Sequence, residues 1–330
     1  MDREQEEMQF LGFFGIYAES YKLIFRWRKI FFQLTLALIL PLSFIFLAHQ
    51  EASEILYWRI RYTRFRLHWT KAGTPKYHKL SDLVTSEWAE YLLLKAVYFV
   101  FLIIFSLLCT SAVVYTVASV YTSREVTFKK VLSVVPKVWK RLMVTFLCTF
   151  FAFCAYNAAF ALALYLWGAT IADSTTGGAV VFVIVLTLYA VGFVYMTIIW
   201  QLASVVSVLE DAHGIKAMMK SKGLIKGKRG VAIVIFLMLN LSLGIINFVF
   251  RVFVVYGKGA LPVLGLGAVS LLLLSKLILF GLVVQTVIYF VCKSYHHENI
   301  DKSALSDHLE VYVGDYVPLK GKDIQLKEYA

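Results

Sequence analysis

The stretch VVFVIVLTLYAVGFVYMTIIW (residues 180–200) contains no charged side chain in 21 consecutive residues. At the 1.5 Å rise per residue of an α-helix, a run of this length crosses the roughly 30 Å hydrocarbon core of a bilayer. A soluble protein has no comparable way to shield so long an apolar helix from water. This stretch therefore predicts a transmembrane helix, and it decides how the rest of the chain is interpreted.

The remaining sequence contains further apolar runs of similar length. Hydrophobic residues make up 60% of the 330 residues and charged residues 16%, against roughly 45–50% and 25% in soluble domains. The alternating ten-residue segments of a membrane β-barrel are absent. We therefore predict an all-α, polytopic transmembrane bundle with six spans, at 30–48, 92–121, 142–167, 179–209, 231–256 and 263–292.

The distribution of Lys and Arg predicts the orientation of these spans. With the N-terminus in the cytosol, the inside segments next to the spans carry 17 basic residues and the outside loops carry eight. The positive-inside rule then makes residues 1–29 a cytosolic amphipathic segment and 293–330 a cytosolic tail. Loop 49–91 is the exception, because seven of the eight outside cations lie there. An alternative with five spans treats 30–48 as a re-entrant or interfacial segment. Pro41, near the middle of this span, predicts a kink in the first helix.

Two extramembrane segments have recognisable periodicity. Residues 8–25 place aromatic and aliphatic side chains at helical spacing, which predicts an interfacial amphipathic helix leading into the first span; these are Phe10, Phe13, Phe14, Tyr17, Tyr21 and Ile24. The stretch RIRYTRFRLHW (59–69) alternates basic and apolar residues, except at Thr63, and is strand-like. We interpret it as a loop held against the membrane surface, with binding of an acidic polymer as the alternative.

Two basic segments separate the central spans and form a short parallel repeat of helix, basic segment and helix. ASVYTSREVTFKKVL (118–132) is similar to ASVVSVLEDAHGIKAMM (203–219) if two residues are inserted. Each segment can form an amphipathic helix whose cations contact anionic headgroups, although the cations also serve as plain topology determinants. The candidate lipid contacts are Lys129, Lys130, Lys140, Arg141, Lys216, Lys220, Lys222, Lys226, Lys228 and Arg229.

A few polar residues fall at membrane depth, where hydrocarbon offers them no partner. Asn240, Asn247 and Arg251 share one face of the fifth span, Asn157 lies in the third and Lys276 in the sixth. They are candidates for a polar cavity that holds an anion or a lipid headgroup. The competing interpretation is helix–helix packing by the asparagines, together with snorkelling of Lys276 and Arg251 to the surface.

The sequence contains no recognisable catalytic or metal-binding motif. The six predicted spans contain no Asp, Glu or His, which intramembrane hydrolysis or a proton relay would require. All four cysteines lie in apolar runs, and the adjacent pair His296–His297 has no obvious third ligand. We expect no enzyme activity, no cofactor and no metal. Glu210 and Asp211 are expected to be solvated or to pair with Lys216 at the surface.

Six stretches resemble a plant family of uncharacterised multi-pass membrane proteins, some of whose members are labelled as binders of a polyadenylate-binding protein. They are FLGFFGIYAESYKLIFRWRKIF (10–31), LILPLSFIFLAH (38–49), GTPKYHKLSDLVTSEW (73–88), SREVTFKKVLSVVPKVWKRLMVTF (123–146), VLEDAHGIKAMMKSKGLIKGK (208–228) and VYVGDYVPLKGKDIQL (311–326). The G-x-x-A-x-x-x-S run of Gly214, Ala217 and Ser221 is also similar to a bacterial membrane-domain superfamily that includes the membrane part of some glycerophosphodiester phosphodiesterases. These resemblances imply six spans and supply no catalytic residues.

Two functional hypotheses follow from the sequence. The first is a non-enzymatic scaffold or regulator in the endoplasmic reticulum, Golgi or plasma membrane, whose basic cytosolic segments contact anionic lipid or a cytosolic protein. The second is a transporter or channel for a small anionic or amphipathic solute that uses the intramembrane polar residues. Direct binding of nucleic acid is not expected, because the net charge of +12 is concentrated beside the spans.

Overall fold

A computed structural model describes residues 8–122, 126–170, 177–257 and 260–296, and these residues form helices joined by short connections, with no strand among them. Residues 1–7 and most of the predicted C-terminal tail, from residue 297 onward, lie outside the described residues. The tail includes the stretch 311–326, which resembles the plant family. The helices are α1 Phe13–Arg26, α2 Arg28–His68, α3 Pro75–Tyr121, α4 Phe128–Thr170, α5 Gly177–Leu209, α6 Ile215–Leu224, α7 Arg229–Val255 and α8 Ala260–Tyr295.

Six of these helices, α2 to α5 together with α7 and α8, are long and apolar enough to cross a membrane. The predicted all-α bundle with six spans is therefore confirmed. The helices are longer than the spans, because α3 has 47 residues and so a length of about 70 Å, against a hydrocarbon core of roughly 30 Å. The apolar runs thus form only parts of helices that continue beyond the membrane.

The segment predicted as a strand-like loop is instead a helical hairpin. Helix α2 continues to His68, and α3 begins at Pro75 after the N-cap Thr74, whose hydroxyl accepts a hydrogen bond from the Tyr77 amide. The strand interpretation of 59–69 was wrong because Ile60 and Thr63, at helical spacing, are the buried positions. The Thr63 hydroxyl donates to Glu87 Oε1 on α3 at 3.2 Å. The break in alternation at Thr63 therefore marks the face of α2 that packs on α3.

Helix α1 packs along the bundle rather than standing apart from it. It buries Ile16, Ser20 and Leu23, and the Tyr17 ring lies 5.2 Å from that of Phe280 on α8. Phe10, before the helix, and Phe14 remain exposed. The predicted helix is present, with an exposed aromatic side that suits contact with lipid.

A π-helical turn interrupts α2 at Thr35–Ile39, just before Pro41. At this turn the Leu40 amide donates to the Thr35 carbonyl, five residues back. Proline lacks an amide hydrogen and its ring crowds the preceding turn of a regular helix, so a wider turn accommodates it. The irregularity that the sequence predicts at Pro41 is thus a local change of helix pitch within one long helix.

Packing is concentrated at one end of the bundle. That end, called the basic end below, comprises the C-terminal parts of α3, α5 and α8, the N-terminal part of α4, and α6. Buried side chains there include Val113, Val138, Val206 and Val287. Toward the opposite end, none of the most apolar window of α5 is buried in the protein, and only 6% of that in α4. The α4–α5 pair therefore presents most of its membrane surface to lipid.

Candidate functional site

Helix α6 is fixed to the basic end through its small residues. Ala217 and Ser221 are fully buried, and the Ser221 hydroxyl donates to the Ile199 carbonyl of α5 at 2.8 Å. Before α6, the Gly214 amide donates to the hydroxyl oxygen of Thr145 on α4 at 2.8 Å. Gly214 has φ +62°, a conformation that glycine adopts without strain. The G-x-x-A-x-x-x-S run is therefore the packing face of α6.

Glu210, directly after α5, joins three elements. Its carboxylate accepts from Lys220 Nζ of α6 at 2.6 Å, and from the Tyr289 hydroxyl at 2.5 Å and Lys293 Nζ at 3.1 Å on α8. The glutamate side chain is only 15% exposed. The expectation of a solvated carboxylate or a surface pair with Lys216 was wrong for Glu210, because α6 turns Lys220 toward it.

The ionisation of Glu210 follows from these contacts. Burial favours the neutral acid and raises the pKa, but hydrogen bonds from Lys220, Tyr289 and Lys293 outweigh burial. The pKa of Glu210 therefore lies below its ordinary value of 4.5. The carboxylate is charged at neutral pH and holds α5, α6 and α8 together. The neighbouring Asp211 instead accepts from Arg141 Nη1 of α4 at 2.8 Å and is mostly exposed.

The opposite face of α6 is both apolar and basic. Ile215 and Met219, one turn apart, are 66% and 70% exposed, and Lys216 and Lys222 flank them in exposed positions. Lys226 follows in the turn after α6 and is also exposed. Exposed aliphatic side chains with lysines around them are typical of a helix in the headgroup region of a bilayer. Because Ala217 and Ser221 pack the inner face of α6 against the bundle, the apolar and basic face always points outward.

The N-terminal part of α4 likewise has one buried apolar face and one exposed basic face. Val131, Val134, Val135 and Val138 are buried against the bundle, in line with the 3.6-residue period. Four cations point away from this face and are exposed: Lys129, Lys130, Lys137 and Lys140. Pro136 also lies on the exposed side of the helix.

The ten candidate lipid contacts therefore fall into two groups. Lys129, Lys130, Lys140, Lys216, Lys222 and Lys226 are exposed. The other four have neighbours within the protein: Arg141 pairs with Asp211, Lys220 with Glu210, and Lys228 and Arg229 lie over the rings of Tyr295 and Tyr195. The first group forms what we call the basic face. The second group contributes to the packing of the basic end.

The residues predicted to form a polar cavity have different surroundings. Asn157 accepts from the Tyr189 hydroxyl at 3.0 Å within the α4–α5 pair, whereas the Asn240 amide donates to Phe236 O of its own helix. Asn247 accepts from the Gln50 amide on α2 at 2.8 Å.

One turn beyond Asn247, Arg251 Nη2 lies 3.9 Å from Glu54 on α2, and Tyr256 donates to the same carboxylate. Asn247 and Arg251 thus lie together at the α2–α7 contact, with partners that come from the extension of α2 beyond the predicted span.

Lys276 lines an open apolar groove between α1, α2 and α8. The groove has a volume of about 640 Å³, and most of its lining is aromatic or aliphatic. Among the described residues that line the groove, Lys276 and Arg28 are the only charged ones. The sequence predicted that Lys276 lines a polar cavity, whereas the groove in which it lies has mainly apolar walls.

A cavity that the sequence did not indicate, with both apolar and polar walls, lies among α3, α4, α5 and α8. It has a volume of about 200 Å³, and its polar lining consists of Ser106, Thr110, Thr145, Thr197, Trp200, Gln201, Ser204 and Gln285. The side-chain amides of Gln201 and Gln285 have no hydrogen-bond partner in the described part of the chain. The cavity offers uncharged donors and acceptors, so its chemistry suits water or a small neutral polar solute.

No cluster of three or more His, Cys, Asp or Glu side chains that could hold a metal occurs within the described ranges. His296 contacts carbonyl oxygens instead. Its Nε2 lies 3.0 Å from the carbonyl oxygens of both Leu224 and Lys226. Because both partners are acceptors, Nε2 carries the hydrogen, and the ring ties the turn after α6 to the end of α8.

The protein is a multi-pass α-helical integral membrane protein. It has six helices apolar enough to cross a membrane, a lipid-facing α4–α5 pair and a basic face at one end. Within this class, the model of a family described as a domain of unknown function, DUF8558, matches residues 1–329, so the chain belongs to that family. Comparison with curated proteins and with solved structures gives no significant match.

Proposed function

We propose that this protein is a non-enzymatic membrane protein that binds anionic phospholipid headgroups through its basic face on the cytosolic side. The observation that carries the proposal is the exposed surface of α6, where Ile215 and Met219 lie beside Lys216 and Lys222. Apolar side chains that enter the headgroup region and lysines that meet phosphate together give affinity for an anionic surface.

Rigid presentation supports this proposal. Ser221, Ala217 and the Gly214–Thr145 hydrogen bond hold the inner face of α6 against the bundle. The helix therefore presents its lysines to lipid without a cost for ordering its backbone. A fixed basic patch beside a bundle suits a scaffold or regulator that responds to the lipid composition of its membrane. Transport remains the alternative, and the neutral lining of the Gln201–Gln285 cavity favours an uncharged polar solute over an anion.

Charge reversal on the basic face tests the proposal. The triple variant Lys216→Glu, Lys222→Glu, Lys226→Glu, in nanodiscs of mixed lipid, is compared with the wild type for its preference for spin-labelled phosphatidylserine over phosphatidylcholine. Each lysine near a membrane surface contributes about 1 kcal/mol of attraction to anionic lipid, so we expect the preference to fall at least ~10-fold. Lys220 and Lys228 are left unchanged, because they contact Glu210 and Tyr295.

A matched control changes three exposed lysines at the tip of the α2–α3 hairpin, Lys71, Lys76 and Lys79, to glutamate. This control changes the net charge by the same amount as the α6 triple variant. If the preference for phosphatidylserine depends on the basic face, the control keeps the wild-type preference. An unchanged preference in the α6 variant, or an equal loss in the control, would refute the proposal. Added salt is expected to weaken the preference of the wild type, since it screens exposed charges.

A further inference from the structure

We infer that the groove between α1, α2 and α8 binds a long-chain fatty acid, with the carboxylate at Lys276 and the acyl chain along α2. This site is separate from the basic face and involves other helices. The inference rests on the shape of the groove, the isolation of its charge and the few donors in its walls.

The groove is shaped for a chain. It follows α2 from Arg28 to Leu40, which at the rise of an α-helix is a distance of about 18 Å. Phe25 and Phe32 are 58% and 68% exposed and stand as its rims, while Phe31 and Leu279 form buried parts of its floor. Its volume of about 640 Å³ falls within the range of ligand sites.

The π-helical turn of α2 lies in this groove. Thr35 and Leu36 belong to the turn, and both residues line the recess. Local π-helical turns occur frequently at functional sites, because the extra residue re-aims side chains and opens the helix surface. Here the turn widens α2 opposite the segment of α8 that carries Ser275 and Lys276. The groove is therefore built by a specific irregularity of the chain and differs from a plain gap between two straight helices.

Lys276 has no carboxylate partner among the described residues. An ammonium group within a transmembrane segment is costly unless it is paired or reaches water. No carboxylate of the described residues contacts Lys276, whereas the other intramembrane cation of the sequence prediction, Arg251, lies beside Glu54. A ligand that enters from the bilayer can supply the missing charge and at the same time fill the apolar walls.

The walls also select the kind of head group. Besides Lys276 and Arg28, the polar residues along the groove are Tyr21, Thr35 and Ser275. The hydroxyls of Thr35 and Ser275 donate to the carbonyls of Phe31 and Leu271 within their own helices. A phosphate head with several charged oxygens finds too few donors at Lys276, while a single carboxylate is matched by one ammonium group. A fatty acid fits this combination of a long apolar wall and one cation.

Binding of radiolabelled palmitate to the purified full-length protein, in nanodiscs of zwitterionic lipid, tests the inference. We expect Lys276→Met to lower palmitate affinity at least 10-fold and to leave the affinity for hexadecanol, which lacks the charge, unchanged. Lys276→Arg is expected to keep palmitate binding within a few-fold of the wild type. The control Arg28→Gln removes the other cation of the same groove and is expected to bind palmitate normally.

Three results would overturn the inference: wild-type affinity in Lys276→Met, an equal loss in Arg28→Gln, or displacement of palmitate by lysophosphatidic acid more readily than by unlabelled palmitate. Filling the groove with Leu36→Trp supplies a second variant, which is expected to reduce binding of palmitate and hexadecanol alike, and wild-type binding in it would also contradict the inference. The α6 triple variant is expected to bind palmitate as the wild type does, so failure of one proposal is distinguishable from failure of the other.

Discussion

The variant Glu210→Gln is expected to unfold at a markedly lower temperature than the wild type, with a loss of about 2–4 kcal/mol in the free energy of unfolding. Glutamine keeps the shape of the side chain but removes the charge that Lys220 and Lys293 share. Both lysines then lie near each other around a neutral group, and the 17% exposed Lys293 loses its ion pair. The cost is large because a partly buried cation without its partner cannot regain full hydration.

The reactivity of buried thiols provides the measurement. Cys109 and Cys292 are fully buried, so a thiol-reactive dye labels them only as the bundle opens, above a background from the exposed Cys154 and the half-buried Cys148. Asp211→Asn is the matched control, because it removes the adjacent carboxylate. Asp211 pairs with Arg141, but its side chain is 76% exposed. Exposed pairs contribute at most about 1 kcal/mol. Equal unfolding temperatures for Glu210→Gln and Asp211→Asn would show that Glu210 does not join the helices.

Glu210 is also expected to make the free energy of unfolding depend on pH. The pKa of Glu210 is lower in the folded protein than its ordinary value of 4.5, so the folded state holds the proton less tightly than the unfolded state. The stabilisation from Glu210 is then complete above about pH 4.5 and is lost as the pH falls through the folded-state pKa. Since a thiol-reactive dye needs the thiolate and fails at acid pH, unfolding is followed here by tryptophan fluorescence. We expect a steeper acid loss of stability in the wild type than in Glu210→Gln. Parallel pH profiles would contradict this assignment.

The long helices could be predicted from sequence because the bilayer imposes a simple condition. About 20 consecutive apolar residues are required for each span, and the run at 180–200 meets that condition without reference to any other part of the chain. The extent of α2 and α3 beyond the membrane could not be predicted in the same way. In 59–69, period-2 alternation arises on a helix because four arginines lie around the exposed sides, while Ile60 and Thr63 face α3.

The sites depend on contacts between distant residues, which a single sequence does not reveal. Gln201 and Gln285 are ordinary residues of two apolar runs, and only the packing of α5 near α8 places both amides at one cavity. The partners of Glu210 likewise come from α6 and α8. By contrast, the exposed lysines of the basic face were predictable, because amphipathic periodicity is a local property of the chain.

The substitution Gly227→Val is expected to have the other large effect, a loss of about 2–5 kcal/mol in the free energy of unfolding. Gly227 lies in the turn between α6 and α7 with φ +91°, a conformation that a β-branched residue avoids. A Cβ atom at this position would clash with the Tyr295 ring, which adds to the backbone strain.

The Tyr295 ring can relieve the clash only by moving off the turn, and the backbone strain at Gly227 then remains. His296 contacts the carbonyls of Leu224 and Lys226 on one side of the turn, and Lys228 lies 5.4 Å from the centre of the Tyr295 ring on the other. Gly223→Ala, four residues earlier, is the control, since a Cβ there meets no atom within 4 Å and we expect no loss of stability. A wild-type unfolding temperature in Gly227→Val would mean that the turn does not pack against the end of α8. If the turn does pack there, the variant also detaches α6 from α8, and the preference for phosphatidylserine falls although every lysine of the basic face is present.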